Sequence, residues 1–222
     1  MIPPAATTTT GCSTATLFDD ARAFCAHVCR TQGIDASHDE THMARVACMA
    51  ERLNALCGRD VGRDEQEVMM LAAFTHDLCD HKYTDVGAGL KVVDNWLATQ
   101  PISDDQRRAV HHIISTMSYS KVKVFGYPTA ESLGKWELAY HHTRIADLID
   151  AYNIDRCYTY QSHKHPGMSE EDKWREVIGL FERRVLTQMD EYILPVAPYA
   201  APIVEPLHWA AAHGIAEFKK LV

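Results

Sequence analysis

The 222-residue chain is 46% hydrophobic and 23% charged, an ordinary globular balance that allows one large domain or two small ones without disulfide support. A formal net charge of −8 argues against a nucleic-acid duplex as the main partner, since a phosphate backbone demands a basic face, yet leaves room for a small phosphorylated substrate held by a local cluster of metal and Lys or Arg. Seven scattered cysteines read as reduced thiols, no apolar run approaches the roughly 20 residues of a membrane span, and the first twenty residues carry no Lys or Arg; the expectation is a cytoplasmic protein with no membrane partner.

Residues 1–16, rich in Thr, Ala and Pro, read as a disordered tail. Residues 17–192 read as one helical domain, and 193–222 as a Pro-rich connector with a short last helix packed on it. The first helix runs from Phe18 to about Gln32 and is closed by Gly33. Ser37-His38-Asp39-Glu40 has the form of a capping box. The helix it opens carries Met43, Val46, Ala50, Leu53 and Cys57 on one stripe and ends near Gly58.

Asp64 and Glu67 open a third helix, and Thr84–Leu97 and Ser103–Met117 form two more, with Gln106 completing a second capping box on Ser103. Ser118 to Gly134 reads as a loop, followed by a long helix from about Lys135 to Tyr158. Ser169 starts an amphipathic helix with Trp174, Val177, Ile178, Phe181, Val185 and Met189 at helical spacing. Pro195, Pro198, Pro202 and Pro206 then predict an extended connector, with Pro206 suited to the first turn of a helix ending near Leu221. No strand alternation appears, so the class is all-α.

The chemistry sits on the third helix. Its apolar run Val68-Met69-Met70-Leu71-Ala72-Ala73-Phe74 predicts burial on nearly all sides, and His76-Asp77 stands at its end. Buried charge survives when it is paired or binds a metal. His42 and Asp147, elsewhere in the chain, supply matching ligands. His38, His42 and Arg45 share one helix face, as do His76 and Asp80. Neighbours on a helix point about 100° apart, so His76 and Asp77 reach one ion only if it lies beside the helix end.

The ordered phrases His42-Met43-Ala44-Arg45-Val46, His76-Asp77-Leu78-Cys79-Asp80-His81-Lys82-Tyr83, Met117-Ser118-Tyr119-Ser120-Lys121 and Ala146-Asp147-Leu148-Ile149-Asp150-Ala151-Tyr152 resemble the HxxRV, HDxxDHKF, MSFxK and ADLLDAY segments of HD-domain metal-dependent phosphohydrolases. The resemblance covers about residues 37–160, over half the chain; the segment after Gln161 resembles nothing nameable. It implies an HD-domain helical bundle with one divalent ion (Mn, Mg, Co, Ni or Fe) on His42, His76, Asp77 and Asp147, and with Asp80 as the acid/base group. Arg45, Lys82 and Lys121, with Lys123 a further candidate, would offset phosphoryl charge. The implied activity is cleavage of a small phosphate ester or anhydride, with a nucleotide as leading substrate, split into monophosphate and pyrophosphate.

Two other readings stay open. The doublets His111-His112 and His141-His142 lie between the HD pair and the last Asp, where dinuclear members carry extra ligands, as in a diiron HD oxygenase. The chain also fits a non-catalytic HD module that binds a phosphorylated ligand.

Overall fold

The computed structural model describes residues 14–221; the expectation of a disordered tail falls mostly on residues outside that range, while 14–16 already belong to the first helix. The described chain is all-α, with no strand. The helices are α1 (Thr14–Gln32), α2 (Glu40–Leu56), α3 (Arg63–Thr75), α4 (Val86–Leu97), α5 (Asp104–Thr116), α6 (Tyr119–Phe125), α7 (Ala130–Leu133), α8 (Glu137–Asp150), α9 (Ile154–Lys164), α10 (Glu170–Arg183) and α11 (Ala201–Phe218). None is long and apolar enough to cross a membrane.

The buried helix is the axis of the fold. Every residue of α3 from Glu67 to Thr75 is buried, with α1, α2, α5 and α8 packed around it. Glu67 is accommodated in that setting by two donors, Arg63 Nε at 2.8 Å and Gln106 Nε2 at 2.8 Å. Gln106 in turn completes the capping box with Ser103 that the sequence announces.

At its C-terminus α3 tightens into a 3₁₀ turn, His76–Cys79, and α4 packs on that turn through Gly89. A Cβ at Gly89 would lie 2.6 Å from Cys79 Cα and 2.7 Å from the Leu78 carbonyl oxygen, both backbone atoms that cannot swing away. Gly89→Ala should therefore destabilise the fold by about 1–3 kcal/mol, as overpacking does. It should also weaken metal binding, because the displaced turn carries His76 and Asp77. Thermal melts and metal titration of the variant check this; an unchanged midpoint would contradict the packing argument.

Four local expectations need correction. The cap of α2 is Asp39, whose side chain accepts from Thr41 N and His42 N, because the Ser37 hydroxyl is engaged with His38 Nδ1 at 2.6 Å. The loop expected between Ser118 and Gly134 contains α6 and α7. The single long helix expected up to Tyr158 is two: α8 stops at Asp150, and Asn153 caps α9 by accepting from Arg156 N. The expected proline connector is mostly helical: a π-turn at Met189–Ile193 and a 3₁₀ turn at Pro198–Ala200 lead into the 18-residue α11. Pro198, Pro202 and Pro206 are four apart, and proline φ is already helical, so only Pro206, inside the helix, removes an internal hydrogen bond.

The later helices are tied to one another by stacked rings. Trp174 of α10 stacks on Tyr158 of α9 at 4.5 Å and on Phe218 of α11 at 4.1 Å. This stack sets the direction of α9 and α10, whose inner faces line the cavity described next.

Candidate metal centre

Three helix segments converge at the C-terminal end of α3. His42 from α2 is fully buried, His76 and Asp77 come from the 3₁₀ turn, and Asp147 comes from α8. One ligand atom from each of His42, His76 and Asp147 lies within 4.8 Å of the others. His42 Nε2 is 3.3 Å from His76 Nε2 and 3.5 Å from Asp147 Oδ1, and His76 Nε2 is 3.8 Å from Asp147 Oδ1. Asp77 Oδ2 stands 3.2 Å from His42 Nε2 and 3.4 Å from His76 Nε2, buried and with no hydrogen-bond partner. Adjacent ligands on an ion with bonds of about 2.1 Å stand roughly 3.0–3.4 Å apart, so the imidazole and Asp77 spacings suit a cation.

Proton placement argues the same way. His42 Nδ1 lies 2.7 Å from Asp150 Oδ2, and His76 Nδ1 lies 2.8 Å from the Ala73 carbonyl oxygen. Those oxygens accept, so both Nδ1 atoms donate, and each ring, when neutral, turns its Nε2 lone pair toward the other. Arg156 Nη2, 3.1 Å from His42 Nε2, meets that lone pair as a donor. Two lone pairs and carboxylate oxygens facing one point form a donor set for a divalent cation, with the imidazole and carboxylate mixture leaving its identity open. The residues fit a metal.

Without a cation, the carboxylates favour protons on the two imidazoles. Burial pushes His76 down, but Asp77 and Asp147 outweigh it and hold it well above the ordinary imidazole value. Burial and Arg156 push His42 down, and Asp147, Asp150 and Asp77 more than reverse them. Burial raises Asp77 and Asp147, yet the imidazoles hold both well below the usual carboxylate range. A raised histidine stabilises the fold fully below its unfolded pKa of about 6.5 and loses that contribution as pH rises through the folded value. Metal needs the unprotonated nitrogen, so its stabilisation runs the other way. Melting curves with and without Mn²⁺, from about pH 6 to 9, should separate as pH rises. Parallel curves would contradict a shared proton and metal site.

Asp150, one turn beyond Asp147, organises the cluster from behind. Besides holding His42, it accepts from Arg45 Nε at 2.9 Å and Nη2 at 3.1 Å, and Arg156 Nε lies 3.4 Å away. Burial opposes its ionisation, but His42 and Arg45 hold it below the carboxylate range. Arg45 is thus spent on Asp150 and is absent from the cavity wall. Asp150→Ala should lower metal affinity about 10–100-fold, as losing the partner of a ligating imidazole does. Calorimetric Mn²⁺ titration reads this, and unchanged affinity would remove Asp150 from the account.

The cluster opens into a cavity of about 500 Å³, of a size for a small ligand. His76, Asp77 and Asp147 lie in its wall together with Asp80, Lys82 and Lys121. Lys82 Nζ pairs with Asp80 Oδ2 at 2.8 Å, while Lys121 Nζ donates to the Ser115 carbonyl at 2.5 Å. Four further cations line it that the sequence reading did not select: Arg156 and Lys164 of α9, Arg183 at the end of α10, and Arg184 just beyond it. Arg184 is largely desolvated, which lowers its pKa, and stacks on the Tyr119 ring at 4.1 Å. The Arg183-Arg184 doublet closing an amphipathic helix was the visible signal. Lys123 lies over the Tyr119 ring at 5.8 Å and is not part of the wall.

The histidine doublets face elsewhere. His142 Nε2 meets the Tyr199 hydroxyl at 2.7 Å, and His141 packs edge-on against Tyr127 and Tyr140. His111 pairs with Asp94 at 2.8 Å beside a separate surface depression that His112 also lines. Among the described residues, neither doublet joins the ligand group.

No protein-family model matches the chain, and no curated protein matches it. Among solved structures it is similar to YpgQ of Bacillus subtilis, with 20% identity over 95% of this chain and 98% of that one and a TM-score of 0.69. It is also similar to a structural-genomics target from Lactobacillus plantarum, with 20% identity, coverage of 92% and 98%, and a TM-score of 0.64. These likenesses show that the all-α arrangement is shared along nearly the whole of each chain.

Proposed function

We propose that the protein is a metal-dependent phosphohydrolase of the HD type that cleaves a small phosphate ester or anhydride, with a nucleotide as the leading substrate. The observation that carries this reading is the junction of a two-imidazole, carboxylate ligand group with a cavity walled by Lys82, Lys121, Lys164, Arg156, Arg183 and Arg184. Six Lys and Arg side chains around one cavity of a chain of net charge −8 are a concentration of charge that an anion would repay. In this reading Asp77 completes a four-residue set with His42, His76 and Asp147.

A bound divalent cation would make water a better nucleophile and draw charge from a phosphoryl oxygen. Asp80, with its carboxylate in the cavity wall, orients the attacking water and takes its proton. The lysines and arginines hold the phosphoryl oxygens and offset the charge that grows on the leaving group. Tyr119 and Tyr160, also in the wall, hold those cations over their rings, Arg184 on Tyr119 at 4.1 Å and Lys82 and Lys164 over Tyr160 at 5.3 and 5.7 Å. Arg45 contributes through Asp150 rather than by touching phosphate.

The test is a panel of nucleotides and generic phosphodiesters assayed with Mn²⁺, Co²⁺, Ni²⁺ and Mg²⁺, with phosphate and pyrophosphate release measured separately. Metal-dependent turnover of a nucleotide, abolished by chelator, is expected. Tight nucleotide binding without release of either product under any metal would replace the hydrolase with a binding module.

A further inference from the structure

A directed chain of hydrogen bonds leads into the cavity wall, from Asp35 and Tyr83 outside it to His38, Lys82 and Asp80 in it. Lys82 Nζ lies 2.9 Å from His38 Nε2 and 2.8 Å from Asp80 Oδ2. An ammonium only donates, so His38 Nε2 accepts and the ring carries its proton on Nδ1. That Nδ1 is 3.0 Å from the Tyr83 hydroxyl oxygen and 2.6 Å from Ser37 Oγ. Tyr83 gives its own proton to the Asp35 carboxylate, which leaves its oxygen free to accept from His38. Asp35 is fixed in turn by the Ser37 backbone N–H at 2.8 Å. With the ammonium as donor to Nε2, the one Nδ1 proton is shared between the Ser37 and Tyr83 oxygens, and none of these six residues is one of the four candidate metal ligands.

Resting on the phosphohydrolase reading, we infer that Asp35, Tyr83 and His38 form a positioning relay that holds the Lys82 ammonium beside Asp80 at the cavity, with one N–H kept for a phosphoryl oxygen of the substrate. The ammonium has three donors. One goes to His38 and one to Asp80, so the third remains, on the side where the Tyr160 ring centre lies 5.3 Å away. A free lysine head samples many rotamers, and two fixed acceptors remove that freedom before substrate arrives. The choice of imidazole matters as well. Because the Lys82 ammonium donates to Nε2, His38 accepts as a neutral group. A carboxylate in its place would give Lys82 a second negative neighbour and repel the anion. His38 acts through Lys82 and is a positioning residue.

The experiment uses the full chain with Mn²⁺ and whichever nucleoside triphosphate the wild type hydrolyses fastest. His38→Leu removes the acceptor for Lys82, whereas His38→Gln keeps an oxygen near the Nε2 position. The leucine variant should lose about 10–100-fold in kcat, the range typical of groups that orient a reacting centre, with Mn²⁺ affinity unchanged. The glutamine variant should recover most of that loss. Equal impairment of both variants, or full activity of His38→Leu, would overturn the relay. The ¹⁵N spectrum of the wild-type imidazole decides it without turnover and without a variant that must fold: the proton belongs on Nδ1, and a proton on Nε2 overturns the inference. A wild type that hydrolyses none of the triphosphates would sink the enzymatic reading, and the ring spectrum would still rule on the relay.

Discussion

Asp147→Ala and His76→Ala should each strip the protein of its metal and reduce turnover to background, the largest functional losses that the structure implies. Each removal leaves the other ligands closing on a point with too few donors, and His76→Ala also deletes one of the two converging lone pairs. The stability of the two variants should differ in the absence of metal. Asp147→Ala leaves a buried His76 facing Asp77 alone, whereas His76→Ala leaves the buried Asp77 and the half-buried Asp147 facing a single imidazole. Removing one partner from a buried charged set costs several kcal/mol, roughly 3–5. Metal content by mass spectrometry, melting temperature and turnover read the three effects separately. Full activity of a metal-stripped Asp147→Ala protein would refute the site.

Asp80→Asn should behave in the opposite way with respect to metal. Its carboxylate is bound by Lys82 and lies in the cavity wall, outside the ligand group. The amide keeps the shape and an acceptor oxygen but cannot take a proton from water. Turnover is expected to fall about 10²–10⁴-fold, the usual worth of a positioned acid or base, with Mn²⁺ affinity held near that of the wild type. A variant that retains wild-type kcat would move proton transfer to another group or to solvent. Loss of metal together with activity would mean that Asp80 belongs to the ligand set.

How much was legible in the sequence follows the range of the physics involved. The burial of α3 was readable from seven consecutive apolar residues, and the Ser103 and Ser169 caps from local hydrogen-bonding rules, because those causes act within a few residues. The candidate ligand positions were readable as phrases in a fixed order, though spacing alone could not bring His42, His76 and Asp147 to one point. Ser37 misled as a cap because its hydroxyl has a better partner in the His38 ring, and Asp39 was available two residues later. The break between α8 and α9 was hidden by an apolar pattern that continues across it; the Asn153 side chain makes the difference by capping the new helix. That break turns Arg156 and Lys164 toward the cavity, so missing it meant missing half of the cationic wall on α9 and α10. The prolines at the C-terminal end read as a connector by a sound local rule, and packing of α11 on α10 overrode it.

The central claim is that distant helices bring two imidazoles and the acidic side chains of the site to one cation. Anomalous diffraction from crystals grown with Mn²⁺ tests it most directly. The expected result is a single peak per chain within bonding distance of His42 Nε2, His76 Nε2 and an Asp147 carboxylate oxygen, with Asp77 as the fourth contact. Absence of density at that point under saturating Mn²⁺, or a peak held by other residues while those nitrogens stay apart, would contradict the account.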